Sequence, residues 1–151
     1  MAMVFLLVLQ ASLVAAQDAS TPPIMMLSGK CLRMVVGDQD MTAACSGKLG
    51  RTVLTDGRSG FYFLLGQNHI LTFSGTDVAR KNAKGASIKI DRLIFNEGLE
   101  TNKPKVLSAR GQCTYGNPSK GQITVRCSGS LRQGTKFSAS FQSDGMPPQQ
   151  P

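Results

Sequence analysis

Histidine occurs once in this chain, at His69, and carboxylates are scarce: nine Asp and Glu stand against seventeen Lys and Arg. A single histidine cannot build a His-rich metal site. Any Ser–His–acid triad would have to use His69, whose parity with Leu71 and Phe73 marks it as the inward start of a strand, a packed or turn-lining position. Asp38, Asp40, Asp56 and Asp144 fall in turn sequences, where Asp ordinarily satisfies backbone donors. No carboxylate pair is therefore singled out for glycoside chemistry. The glycine-containing stretches 57–60 and 74–77 read as turns and lack the strand–loop–helix setting of a phosphate cradle. No segment sustains a 3.6-residue apolar period, which leaves room for at most one short helix. Cysteine pairs of the C-x2-C type are missing, and with them the usual zinc-ligand spacing. These absences leave no catalytic residue, metal ligand set or cofactor to nominate.

Long hydrophobic runs are absent too, with one exception. Val4–Leu9 is unbroken, and the run continues through Ala11, Leu13, Val14, Ala15 and Ala16 before Gln17-Asp18. An apolar stretch followed by small residues is the layout of a secretory signal, with cleavage expected after Ala16. One feature departs from the pattern: no Lys or Arg precedes the run, so the α-amino group is its only positive charge. A spanning helix needs roughly 20 apolar residues, more than this run supplies, so no transmembrane segment is expected in the mature chain. The organisation read from the sequence is a signal peptide at 1–16, an extended segment at 17–28, a β domain at 29–145 and a proline-rich tail at 146–151. The tail, with Pro147, Pro148 and Pro151, is expected to be extended and solvated. The expected location is outside the cytoplasm, in a periplasm or the extracellular space.

Residues 17–151 retain every charged side chain, so the formal charge stays at +8. Such an excess suits an anionic partner: nucleic acid, anionic lipid or acidic polysaccharide. No specific nucleic-acid motif accompanies it, and the cations are scattered along the chain. The nearest approach to a cluster is Arg80, Lys81 and Lys84, nominated as anion contacts. Phe61, Tyr62 and Phe63 could stack bases, but three adjacent aromatics in a strand are more simply core with one outward tyrosine.

Four cysteines in an exported chain favour two disulfides, with three connectivities open. Cys31 and Cys45 are separated by 13 residues, as are Cys113 and Cys127, and their flanks match at a constant offset of 82. Seven of the 21 positions from 29 to 49 are identical to their counterparts in 111–131. The likeness is expected to reach a third strand, Arg51–Thr55 before Asp56-Gly57 and Thr135–Ser143 before Asp144-Gly145, giving two copies of a three-strand unit. Each pair flanks a turn, Gly37–Asp40 in one copy and Gly116–Gly121 in the other, with Met41–Ser46 returning as a strand in the first. Opposed residues across a hairpin lie about 4.5–5.5 Å apart at Cβ. The expected pairing is Cys31–Cys45 and Cys113–Cys127.

Alternation of period two is clear in the C-terminal half. Leu107, Ala109, Gly111, Cys113 and Tyr115 share one face, as do Ile123, Val125 and Cys127, and Phe137, Ala139 and Phe141. Phe61–Leu65 and His69–Phe73 read as a hairpin about Gly66-Gln67-Asn68. Ser87–Asp91 alternates until the pattern slips near Arg92, where a bulge is expected. The fold class is all-β: a single antiparallel barrel or sandwich of about eight or nine strands.

The Gly-x-Cys…Gly-Asn-Pro…Thr-Val-x-Cys…Phe-x-x-x-Phe-x-x-Asp-Gly-x-Pro-Pro run over 111–148 resembles a set of small exported bacterial β proteins with two disulfides, whose function is uncharacterised. The hairpin at 29–57 is similar to theirs as well. The resemblance implies export and fold, not activity. In architecture the chain is also similar to small periplasmic barrels that inhibit lysozymes or proteases, a likeness of fold alone. Three functions remain open: a non-enzymatic binding or structural module of the cell envelope or periplasm, whose partner is a protein or an anionic envelope polymer; an inhibitor of a secreted hydrolase; and a small hydrolase using His69. The +8 charge argues against basic lysozymes as the inhibitor's target.

Overall fold

A computed structural model describes residues 23–66, 68–78, 85–98 and 102–151. The signal segment at 1–16 and the Arg80, Lys81, Lys84 cluster lie outside the described residues.

Nine strands follow one another: β1 (Met25–Val36), the short β2 (Gln39–Asp40), β3 (Cys45–Val53), β4 (Arg58–Leu65), β5 (His69–Val78), β6 (Ala86–Asn96), β7 (Lys105–Tyr115), β8 (Thr124–Leu131) and β9 (Lys136–Ser143). From β3 to β9 each pairs antiparallel with the next, and β1 pairs with both β3 and β9. The result is a closed eight-stranded barrel with β2 as an appendage, so sheet closure leaves no long edge. No α-helix occurs among the described residues, only 3-10 turns at Thr42–Ala44 and Pro118–Lys120.

The alternation expected from sequence sets the inside and the outside. Phe137, Ala139 and Phe141 are buried, as are Cys113, Val125 and Cys127. Phe61 and Phe63 point inward while Tyr62 faces out, its hydroxyl sharing a 2.9 Å hydrogen bond with Thr52 Oγ1. Phe73 of β5 meets Phe63 at 5.4 Å, and meets Phe137 of β9, on the opposite wall, at 5.5 Å between ring centroids. Side chains that touch across the ring fill the lumen, as in other small barrels.

Both disulfides form as the spacing implied, Cys31–Cys45 and Cys113–Cys127. Each sits two residues from a glycine pair. Gly111 faces Gly129 across the β7–β8 ladder, and a Cβ on either would approach Phe137 Cζ to 3.0 or 2.7 Å. Gly47 lies so close to Gly29 that a Cβ would come within 2.7 Å of its carbonyl oxygen. The repeated Gly-x-Cys…Cys-x-Gly pattern thus encodes a bridged crossing with no room for side chains beside it.

The two copies differ in what surrounds the bridge. Cys113 and Cys127 are directly paired, fully buried, with Cα atoms 4.0 Å apart. The β1–β3 ladder instead ends at Ser28–Lys48, and β1 continues along β9 from Gly29. Cys31–Cys45, with Cα atoms 5.8 Å apart, ties the strands where their hydrogen bonding has stopped.

Four expectations are corrected. Met41–Ser46 returns as a strand only from Cys45: Gln39-Asp40 pairs briefly with β1, and a 3-10 turn follows before β3, held by Met34 N donating to Thr42 Oγ1 at 3.0 Å. Arg51–Thr55 is not the third strand of the first copy. Arg51–Val53 completes β3, and the chain reverses only at Leu54–Gly57, where Gly57 takes φ +81°. The strand that follows β3 is β4, in the chain position that β9 takes after β8. Stretches 57–60 and 74–77 lie mostly in strands, Ser59 opposite Gly75 and Gly60 opposite Ser74. Gly57 does turn, but Gly60 and Gly75 serve close approach, since a Cβ on Gly75 would collide with the Lys89 carbonyl and one on Gly60 would come within 3.1 Å of the Phe73 carbonyl oxygen. Finally, β1 begins at Met25, inside the segment read as 17–28; the tail is mostly exposed, and Met26 and Gln149 exchange two backbone hydrogen bonds of 2.7 and 2.9 Å. The bulge expected near Arg92 is present, as a register shift between Ile90 and Arg92 against β7.

Candidate functional site

His69 opens β5 opposite Leu65, half-buried, its ring against Phe95 at 5.6 Å between centroids. This is the packed position its parity implied. Among the described residues no hydroxyl or carboxylate hydrogen-bonds to it. The four cysteines are all bridged, and no group of three or more potential ligands converges on a metal position among the described residues. Asp40, Asp56 and Asp144 each accept from the backbone N–H two residues on, at 2.9 to 3.0 Å, as turn aspartates do.

Two ionic clusters mark the barrel wall. Arg58 grips Asp91 with two hydrogen bonds of 3.0 and 2.6 Å and donates to Ser74 Oγ at 2.9 Å, while Arg92 Nε reaches Asp91 at 3.3 Å. The Arg58 hydrogen bonds hold the Asp91 carboxyl below its ordinary range, and Asp91 in turn raises Arg58. At one mouth, Arg51 donates to the Tyr115 hydroxyl at 2.7 Å, and that hydroxyl donates to Asp77 at 2.9 Å. The Arg51 guanidinium also lies over the Tyr115 ring, 4.2 Å from its centroid. Burial pushes the Tyr115 phenol up, against the pull of Arg51. An open pocket of about 670 Å³ lies beside this cluster, lined by Arg51, Ala86, Tyr115, Pro118 and Lys120 among others. Its arginine is already neutralised by Asp77 at 3.5 Å.

The remaining cations tell a different story. Strands β7, β8, β9 and β1 contain no Asp or Glu. Their outward positions hold Arg110, Arg126, Lys136, Lys30 and Arg33, all exposed, mostly among Ser, Thr and Gln, with Leu32 and Val106 exposed on β1 and β7 as well. Lys89 of β6 extends the set, opposite Gln112. The ladder fixes their relations. Arg126 and Arg33 flank Ser140 from either side, and Arg110 and Lys136 flank Ser130. Members of each pair stand two strands apart, roughly 10 Å, and the rows are four residues apart along β8, roughly 13 Å. Those spacings are comparable with the Debye length of about 8 Å at physiological ionic strength, so neighbouring fields overlap. Among the described residues none of these six cations pairs with a carboxylate; the ion pairs belong to Arg51, Arg58 and Arg92.

Linear reading did not find this face, because its cations are scattered along the chain. The signal was the strand period: each basic residue occupies an outward phase, and the four strands that carry all of them but Lys89 are free of acid. Of the residues nominated from sequence, the structure places the cysteines together in pairs, leaves His69 in packing, and does not describe Arg80, Lys81 or Lys84.

No helix long and apolar enough to cross a membrane occurs among the described residues. Compared with models of protein families, curated proteins and solved structures, the chain finds no match.

Proposed function

We propose that this chain is an exported, non-enzymatic binding module that holds an anionic polymer of the cell envelope against the outer wall formed by β7, β8, β9 and β1. The observation that carries the reading is the segregation of charge. The described acids sit in turns and loops, on β5 and β6 and, at Asp40, on the β2 appendage beside the end of β1, while a continuous four-strand wall offers cations, hydroxyls and amides. Such a surface attracts a polyanion over several repeats and has the hydrogen-bonding groups to follow its backbone. A rigid, stapled, side-chain-filled barrel keeps the grid of cations in place, so little ordering entropy is lost on binding.

Export is supported by the N-terminal apolar segment and by the likeness of 111–148 to small exported bacterial proteins. Two formed disulfides are consistent with an oxidising compartment.

The test is a salt titration of binding to a soluble polyanion, with polyphosphate and polygalacturonate as probes. Affinity should fall steeply with salt, and log K against log salt should lose about one unit of slope for each contacting cation removed. An Arg33→Gln, Arg126→Gln, Lys136→Gln variant should lose most of its affinity at unchanged stability. Absence of binding at low salt, or a variant that binds as the parent does, would end the proposal.

A further inference from the structure

The basic wall is not uniform. At the β8–β9 end it hollows into a concavity of about 560 Å³, lined by Ser108, Arg110, Ser130, Leu131, Arg132 and Gly134 among others. Arg110 and Arg132 approach it from different elements, one from β7 and one from the turn after β8. Both are exposed, and neither is ion-paired among the described residues.

The backbone fixes both arginines. Ile90 pairs with Gly111 and Arg92 with Ser108, so Asp91 alone faces Ala109 and Arg110. This extra residue on β7 is a bulge, a device that re-aims a side chain. The turn carrying Arg132 is equally constrained. Leu131 N donates to Thr135 O at 2.8 Å, Gly134 N to Leu131 O at 2.9 Å, and Arg132 N to Ser108 O at 3.0 Å. The last bond ties the turn to the strand that bears Arg110. Asp91, the nearest carboxylate along the ladder, is occupied by Arg58 and Arg92.

Two guanidinium groups and two serine hydroxyls around one hollow, with no free acid beside them, suit a tetrahedral oxyanion. Arginine offers paired N–H donors that match two oxygens at once, and hydroxyls can serve the remaining ones. We infer that this hollow is a subsite for a phosphate or sulfate ester group, which seats one charged unit of the polymer while the wall holds its neighbours. The inference rests on the anionic-polymer reading and narrows it from polyanions in general to those bearing tetrahedral esters.

Tripolyphosphate, a sulfated disaccharide and a galacturonate oligomer are titrated calorimetrically into the full mature chain, its Arg132→Gln variant and its Arg33→Gln variant. The two variants lose the same charge. Saturable one-to-one binding of tripolyphosphate or the sulfated disaccharide is expected, weakened about tenfold by Arg132→Gln and no more than about twofold by Arg33→Gln. Tighter binding of one of these two probes identifies the preferred group as phosphate or sulfate. Equal losses in both variants overturn the subsite, as does binding of the galacturonate oligomer alone, and in either case the basic wall stands as a diffuse polyanion surface. If long polyphosphate and polygalacturonate also fail to bind the parent chain at low salt, the wall reading falls with it. Matching thermal midpoints for the three proteins exclude misfolding as the cause of a loss.

Discussion

The two disulfides close loops of the same length, each with a sequence separation of 14, and this makes them an internal control. In the chain-entropy model a ring of that size contributes about 3 kcal/mol. Replacing either pair by serines removes that same contribution. What remains is environment. Cys113 and Cys127 are 0% and 1% exposed, so the Cys113→Ser, Cys127→Ser variant also buries two hydroxyls in an apolar lumen. Each hydroxyl without a partner costs about 1–3 kcal/mol. Cys31 is buried at 9% exposure, but its Sγ lies 3.8 Å from the Arg33 carbonyl oxygen, and Cys45 is only partly buried, so new hydroxyls there have a carbonyl or water to meet. The expected losses are therefore about 3 kcal/mol for the Cys31–Cys45 pair and about 5 kcal/mol or more for the Cys113–Cys127 pair. At roughly 4 °C per kcal/mol for a domain of this size, the thermal midpoints fall by about 12 °C and 20 °C. Denaturant unfolding of the two variants measures the difference. Partial reduction followed by alkylation and peptide mapping measures access: Cys31–Cys45 should open first. Equal losses, or Cys113–Cys127 opening first, would refute the claim that burial rather than loop length separates the two bridges.

Further outcomes follow from the same packing. Gly129→Ala should destabilise by at least about 1–3 kcal/mol, since a Cβ there comes within 2.6 Å of the Gly111 Cα and 2.7 Å of Phe137 Cζ; urea unfolding reads it. Phe73→Ala should cost about 3–5 kcal/mol, because that ring joins opposite walls of the lumen. Asp91 has a folded pKa below its unfolded value, so its pairing stabilises the fold above the unfolded pKa, near 3.8, and the contribution is lost as pH falls through the folded value. Asp91 is half exposed and Arg58 a quarter, and solvent screening limits the effect to about 1 kcal/mol or less. Asp91→Asn should flatten the acid side of the stability–pH curve by that amount, measured by thermal melts from pH 2 to 6.

Period-two alternation made the interior legible, because a strand of a filled barrel must bury every second side chain. Leu107, Val125 and Phe141 could each be assigned to the core side by counting. The disulfide pairing was legible for a related reason, since equal spacing about a turn sets opposed residues. What failed depended on chain excursions that pattern cannot report. The Thr42–Ala44 turn interrupts an otherwise plausible strand because Thr42 and Met41 bond back to Met34. Gly60 and Gly75 look like turn residues, but they serve close approach between strands. The basic wall was legible only in principle. Arg33 and Arg126 are far apart in sequence and meet across Ser140 solely because β1 closes the barrel onto β9.

The central claim is one of place, that anionic polymer lies on β7, β8, β9 and β1. Amide chemical-shift mapping of the labelled chain with a short polyphosphate tests it most directly. The account predicts saturable shifts concentrated at outward positions of those strands, around Arg110, Arg126, Lys136 and Arg33, and vanishing in high salt. Shifts centred on the Arg51–Tyr115 mouth, or spread evenly around the barrel, would contradict it.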